Sequence, residues 1–330
     1  MATSGEEPRI DVAVHLDPAD WARHLADETR RGLGERPPWI PPVWFYDEHG
    51  SKLFDQITRL PEYYPTEAER SILVERADRI ARITAARTLV ELGSGTSDKT
   101  VLLIDALSGQ GTLRTVAPFD VSEEVLRSAA RTIASAYPGV AVRAVVGDFH
   151  RHLDRIPAGD GVLLAFLGST IGNLDPDQRR RFLSTVAATL GDDDWFLLGT
   201  DLVKSVDRLL LAYDDPTGVT AEFNLNALDV MNRELRADFD RTRFRHRAHW
   251  DPDEHRIEMH LVAGEDQVVR IDELDDLVIE LRRGEHLRTE ISAKFTLDDV
   301  ERELAEAGLS TVERWTDADG DVALTLARRT

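Results

Sequence analysis

The chain has 330 residues, 42% of them hydrophobic, which suffices for one large or two ordinary domains with a real core. Its formal net charge of −21 argues against nucleic acid and against anionic membrane surfaces, which are bound through Lys and Arg. The absence of cysteine excludes disulfides, thiol nucleophiles and Cys-ligated zinc. The first 14 residues lack the apolar stretch of a signal peptide, and no apolar run approaches the ~20 residues that span a bilayer, so a cytoplasmic protein is expected.

In chain order, residues 1–16 read as poorly ordered. Residues 17–33 have helical spacing (Trp21, Leu25, Thr29), stopped by Gly34. A proline-rigid loop at 36–42 follows, then helices at 52–59 and 66–84. From residue 88 the pattern alternates strand and helix. Strand 88–92 carries Glu91 near its end, and Gly93-Ser94-Gly95 turns the chain toward a helix beginning at Ser97. A dinucleotide fingerprint would need glycine or alanine at position 98. Asp98 stands there, and it would repel a pyrophosphate. S-adenosylmethionine has no phosphate and carries a sulfonium cation, so an acidic glycine loop suits it better.

A second strand at 113–118 leads into Asp120, placed to accept hydrogen bonds from ribose hydroxyls. Ser122 then caps a helix with Glu123 and Glu124 in its first turn. The third strand, 140–146, is followed by Gly147-Asp148-Phe149, a carboxylate for the adenine amino group and a ring to pack on the base. Strand four is 161–166, a helix starts at Asp175-Pro176, and strand five is 195–199. Repeated units of this kind predict a parallel sheet flanked by helices.

The alternation then breaks. Helices are expected at 205–213 and 220–239, and antiparallel strands at 243–250, 254–262, 267–271 and 277–282. Thr296-Leu297-Asp298-Asp299 reads as a capping box that opens a helix closing at Gly308. Strands 310–315 and 321–327 end the chain as a hairpin. The expected fold is therefore α/β: a Rossmann-like class I S-adenosylmethionine methyltransferase. It would have a seven-stranded sheet, a C-terminal antiparallel hairpin and a second α+β substrate-binding lid domain. The catalytic domain is expected at 68–203 plus 294–330, and the lid at 1–67 plus 204–293. His150-x-His152 and His246-x-x-His249 lack a carboxylate to complete a ligand set, so no metal is expected.

Several motifs resemble the histidine Nα-methyltransferases of ergothioneine biosynthesis. They are Tyr46-Asp47-Glu48-His49-Gly50-Ser51, Leu60-Pro61-Glu62-Tyr63-Tyr64-Pro65-Thr66, Glu91-Leu92-Gly93-Ser94-Gly95, Phe166-Leu167-Gly168-Ser169-Thr170-Ile171-Gly172-Asn173 and Thr220-Ala221-Glu222-Phe223-Asn224. The resemblance runs from about residue 40 to the C-terminus. It implies that L-histidine receives three methyl groups from S-adenosylmethionine to give its trimethylammonium betaine, hercynine. It further implies carboxylate recognition by Asn173 and Tyr213, imidazole recognition by Glu290 and Ser292 with Met259 lining the ring, and Tyr46 near the amine as the catalytic residue. Tyr63 counts among the substrate-binding residues, toward the cofactor side. Gly93, Ser94, Lys99, Asp120, Asp148 and Phe149 fall to the cofactor. The partner is a small molecule, and a monomer is expected.

Elementary chemistry agrees with this reading. Glu290 and Ser292 share a face of an extended segment, where one accepts an imidazole N–H and the other serves the second nitrogen. An α-ammonium group titrates near ~8, so a free amine is accessible and positioning can supply most of the rate. Three other readings remain at this stage: the same fold acting on another amino acid or small amine, an NAD-dependent oxidoreductase, and a protein methyltransferase or binding protein.

Overall fold

The computed structural model describes residues 10–95, 99–157 and 161–330. In chain order these form β1 (Ile10–Val14), α1 (Pro18–Gly34), α2 (Glu48–Ile57), α3 (Tyr64–Thr84), β2 (Thr88–Leu92), α4 (Thr100–Gly109), β3 (Thr115–Asp120) and α5 (Glu123–Ala136). Next come β4 (Ala141–Val146), β5 (Val162–Phe166), α6 (Pro176–Thr189), β6 (Trp195–Asp201), α7 (Val206–Tyr213) and α8 (Val219–Glu234). The chain continues with β7 (Phe244–Asp251), β8 (Arg256–Ala263), β9 (Gln267–Ile271), β10 (Leu277–Leu281), β11 (His286–Ala293), α9 (Leu297–Glu306), β12 (Leu309–Thr316) and β13 (Val322–Arg329). It divides into two compact units: residues through Asp17, Glu67–Leu202 and Phe295–Thr330 in the first, and Pro18–Thr66 with Val203–Lys294 in the second.

The first unit holds one sheet in the order β1-β4-β3-β2-β5-β6-β13-β12. Its strands are parallel from β1 to β6, while β13 runs antiparallel to both β6 and β12. Every residue of β2 and β5 is buried, as strands covered on both faces require. From β2 the order runs to β3 and β4 on one side and to β5 and β6 on the other, so a crevice opens at its C-terminal end. The Gly93–Gly95 turn stands there.

The seven expected strands are present, with one more. Residues 10–14, read as poorly ordered and as part of the 1–67 lid segment, form β1 in the first unit. Ile10-Asp11-Val12-Ala13-Val14 pairs in parallel with Val142–Val146 and extends the edge that β4 would otherwise present. Ser122 precedes α5 as expected, but its side chain makes no cap bond; instead its N–H donates to Asp120 Oδ1 at 3.0 Å. Two expected caps are complete boxes: Asp175 with Gln178 opens α6, and Thr296 with Asp299 opens α9. Ser97 and Asp98 lie outside the described residues. Helix α4 is described from Thr100, with Lys99 at its N-cap.

The second unit contains an antiparallel sheet β11-β8-β7 and a two-stranded ribbon β10-β9. Helix α8 stops at Glu234, short of the expected 239. Arg236 takes a left-handed φ of 51°, and the Asn232 side chain donates through Nδ2 to the Phe239 carbonyl at 2.8 Å and accepts from Phe239 N through Oδ1 at 2.9 Å, closing the chain into a loop. Strand β11 was legible only as an extended segment. A bulge between Arg288 and Glu290 shifts its register on β8.

Candidate active site

At the C-terminal end of β2, Gly93 and Gly95 have φ of 65° and 48°, and nothing among the described residues lies within 4 Å of a Cβ built on either. Backbone conformation therefore calls for glycine at both positions. Asp120 ties this turn to the next strand end, since its Oδ2 accepts from Gly95 N at 3.0 Å. Burial raises the Asp120 pKa, against the opposing pull of the Ser122, Gly95 and Val121 N–H groups. Each of its oxygens keeps lone-pair capacity for a ribose hydroxyl. Ser94 Oγ is buried without a hydrogen-bond partner among the described residues. Two carboxylate oxygens and a hydroxyl with no partner among the described residues fit a phosphate-free nucleoside better than a pyrophosphate.

At the end of β4, Asp148 is buried and accepts from His150 N through Oδ1 at 2.9 Å, while its own N–H donates to His152 Nδ1 at 3.1 Å. His152 thus serves the loop. The Phe149 ring meets Phe166 and Phe182 edge-on, at 5.3 and 5.7 Å between centroids. Gly147 is required by close approach, because a Cβ there would lie 2.9 Å from the Phe119 ring.

A residue with no role in the sequence reading anchors this unit. Glu69 is 1% exposed, forms an ion pair with Lys99, and accepts from Gly168 N with both oxygens at 2.8 and 3.0 Å. Gly199 makes room for it, since a Cβ there would sit 2.1 Å from Glu69 Oε1. One carboxylate therefore holds both the lysine assigned to the cofactor and the start of the loop that carries Asn173. Within that loop Ser169 takes a left-handed φ of 56°, and its Oγ accepts from Asp201 N at 2.8 Å. Asn173 ends the following 3-10 turn, Thr170–Asn173.

In the second unit an aromatic row joins the tyrosines. Tyr46 lies edge-on to Phe54 and Phe223 at 5.8 and 5.6 Å, Phe54 meets Tyr63 at 6.4 Å, and Tyr63 meets Tyr213 at 6.1 Å. Such a row suits a cationic amine. Tyr213 reaches one of the two predicted imidazole residues directly, with its hydroxyl 2.8 Å from Ser292 Oγ. Glu290 stands opposite Met259 across the β11–β8 ladder, so the two share a face. Buried beside them is Lys294, whose Nζ donates to Ser292 Oγ at 2.8 Å and to Tyr213 Oη at 2.9 Å. Sequence reasoning passed over Lys294, although its two-residue step beyond Ser292 repeats the alternation that pairs Ser292 with Glu290.

The backbone of Tyr213 is held as well. Asn224, fully buried, donates through Nδ2 to His246 Nδ1 at 2.8 Å, which leaves His246 Nε2–H to donate to the Tyr213 carbonyl at 2.8 Å. Burial lowers the His246 pKa and outweighs the attraction of Asp214 and Asp215, so the ring is neutral in this role. Asp215 follows two residues later. Its carboxylate accepts from Thr220 N (2.7 Å), Val219 N (3.2 Å) and the Thr217 hydroxyl (2.5 Å). Burial works against its ionisation, but these donors prevail and bring its pKa down to about 2.

The strand order, the glycine turn after β2 and the acids at the next two strand ends define a Rossmann-like class I S-adenosylmethionine methyltransferase. The model of the family "Histidine-specific methyltransferase, SAM-dependent" matches residues 25–329. The histidine N-alpha-methyltransferase of Mycobacterium tuberculosis is 52% identical over 323 residues, covering 97% of this chain and 100% of that protein. The enzyme of the same name from Mycolicibacterium smegmatis is 52% identical over 320 residues, 97% of this chain and 99% of its own. Ergothioneine biosynthesis protein 1 of Neurospora crassa is 31% identical over 290 residues, covering 85% of this chain and 32% of that protein. The chain belongs to the histidine-specific, S-adenosylmethionine-dependent methyltransferases.

Proposed function

We propose that this enzyme transfers three methyl groups in succession from S-adenosylmethionine to the α-amino nitrogen of L-histidine, giving hercynine in ergothioneine biosynthesis. The observation that carries this reading is 52% identity over essentially the whole length of two histidine N-alpha-methyltransferases. The side chains support it, because a carboxylate (Glu290) and a hydroxyl (Ser292) on one strand suit the two nitrogens of an imidazole. An acceptor without that ring would offer the Glu290 carboxylate no imidazole N–H to accept.

When bound, S-adenosylmethionine supplies an electrophilic methyl group on a sulfonium. On this reading Gly93, Ser94, Asp120, Asp148 and Phe149 hold its nucleoside, with Lys99 toward its methionine carboxylate. Asn173 and Tyr213 hold the carboxylate of histidine, and Met259 bounds the ring. The nucleophile is a neutral amine with a lone pair, already accessible near neutral pH, so no strong base is required. Tyr46 orients the amine and takes part in relaying its proton, and the row Tyr46, Phe54, Tyr63 and Phe223 tolerates the fixed cation of the product. Calorimetry of L-histidine binding in the presence of S-adenosylhomocysteine tests the assignment. Binding is expected, with a large loss in Glu290→Ala. Equal affinity in that variant would remove Glu290 from recognition.

A further inference from the structure

Asn224, the last residue of the Thr220–Asn224 motif, is fully buried. Its Nδ2 lies within bonding distance of two groups, His246 Nδ1 at 2.8 Å and the His260 carbonyl at 3.1 Å. A carbonyl only accepts, so the second bond fixes which end of the amide is nitrogen. His246 Nδ1 is then the bare, accepting nitrogen. The proton of the neutral ring sits on Nε2, which donates to the Tyr213 carbonyl at 2.8 Å. An imidazolium would set Nδ1–H against the amide N–H. Tyr213 is the last residue of α7, where a carbonyl has no partner within the helix, and the Asn224–His246 relay supplies one. Two residues on, Asp215 fastens the chain to the start of α8 through Val219 N and Thr220 N. The two ends of the motif thus grip the short stretch that carries Tyr213, whose hydroxyl stands 2.8 Å from Ser292 Oγ.

We infer that Asn224 and His246 are positioning residues: by holding His246 as its Nε2–H tautomer, Asn224 fixes the end of α7 and so aims the Tyr213 side chain at the substrate carboxylate. This rests on the reading of Tyr213 as a contact for the carboxylate of histidine. The relay acts on the backbone of Tyr213 and takes no part in the displacement at the methyl group. It therefore sets the affinity for histidine and leaves the transfer step, once histidine is bound, nearly as it was. The demands on the two positions differ. Position 224 needs an N–H donor to keep the proton off Nδ1, and leucine, close to asparagine in size, offers none. Position 246 needs a donor at the reach of Nε2. Glutamine keeps such an N–H without carrying a titratable ring, and leucine removes it.

The first arm of the test is nitrogen NMR of the histidine rings of the unsubstituted protein at about pH 8, above the usual imidazole pKa of ~6.5. The His246 resonances are assigned by their absence in His246→Gln. A pyridine-like Nδ1 and a pyrrole-like Nε2 are expected, and a pyrrole-like Nδ1 would overturn the inference. The second arm is steady-state kinetics with L-histidine and S-adenosylmethionine. His246→Leu and Asn224→Leu are each expected to raise KM for histidine about fivefold, as for the loss of one buried hydrogen bond, with kcat and KM for S-adenosylmethionine changed less than about twofold. His246→Gln is expected to bring KM for histidine back toward that of the unsubstituted protein. Lowered thermal stability with unchanged KM in both leucine variants would make the relay purely structural and overturn its positioning role. An unsubstituted protein that does not methylate histidine would overturn the functional reading, and the claim on affinity with it. The ring resonances distinguish that failure from a wrong tautomer.

Discussion

Glu69 is where single-residue energetics weigh most in the first unit. It is a buried carboxylate that accepts from one backbone N–H and pairs with Lys99, so Glu69→Gln removes a charge that two partners use. Lys99 is 21% exposed and can rehydrate, which limits the loss to about 2 kcal/mol of unfolding free energy, measured by denaturant titration. The Tyr46 hydroxyl is assigned a role in proton relay. Tyr46→Phe is therefore expected to slow turnover about tenfold while S-adenosylmethionine affinity, read by calorimetry, stays the same. Unchanged turnover would remove Tyr46 from the mechanism. Asp120 and Asp148 were legible because each ends an apolar run. Glu69 and Lys294 were passed over, because Gly168 and Tyr213, which they bond, sit 99 and 81 residues away in the chain and only folding brings them together.

Helix α2 shows what fixes an element. Asp47 caps it, accepting from Gly50 N at 2.8 Å, and the same oxygen accepts from Asn226 Nδ2 at 2.9 Å. Burial opposes the ionisation of Asp47, but Gly50, Asn226 and Arg233 together hold its pKa below the usual value. Asp47→Ala should cost about 2 kcal/mol, the upper range for a lost cap. Gly50→Ala should cost more, since its Cβ would lie 1.7 Å from the Phe45 carbonyl; thermal unfolding of both variants checks the order. The alternating elements from β2 to β6 were legible because apolar strands and capped helices each carry a local signal. β1 was missed because a five-residue edge strand beside a polar N-terminus carries little. The end of α8 was misplaced because the turn is closed by Asn232, a side chain that local periodicity ignores.

Across the whole molecule, two carboxylates set an acid limit. Asp215 and Glu258 both have folded pKa values of about 2, below their ordinary 3.8 and 4.5. For Glu258, burial is outweighed by the His260 hydrogen bond and by Arg256 and Arg288. A depressed folded pKa gives stability that is fully present above the unfolded value and lost as pH falls toward the folded one. Stability should thus hold down to about pH 5 and fall between about 4.5 and 2, a slope that Glu258→Gln flattens in pH-dependent urea titrations. The division into two units was suggested by the break in strand–helix alternation near residue 204.

The most direct measurement of the central claim is mass spectrometry of the purified protein incubated with S-adenosylmethionine and a panel of free amino acids. The account predicts stepwise gain of one, two and three methyl groups on the α-nitrogen of L-histidine, with other amino acids unmodified. Methylation of a different amino acid with histidine left untouched would contradict it.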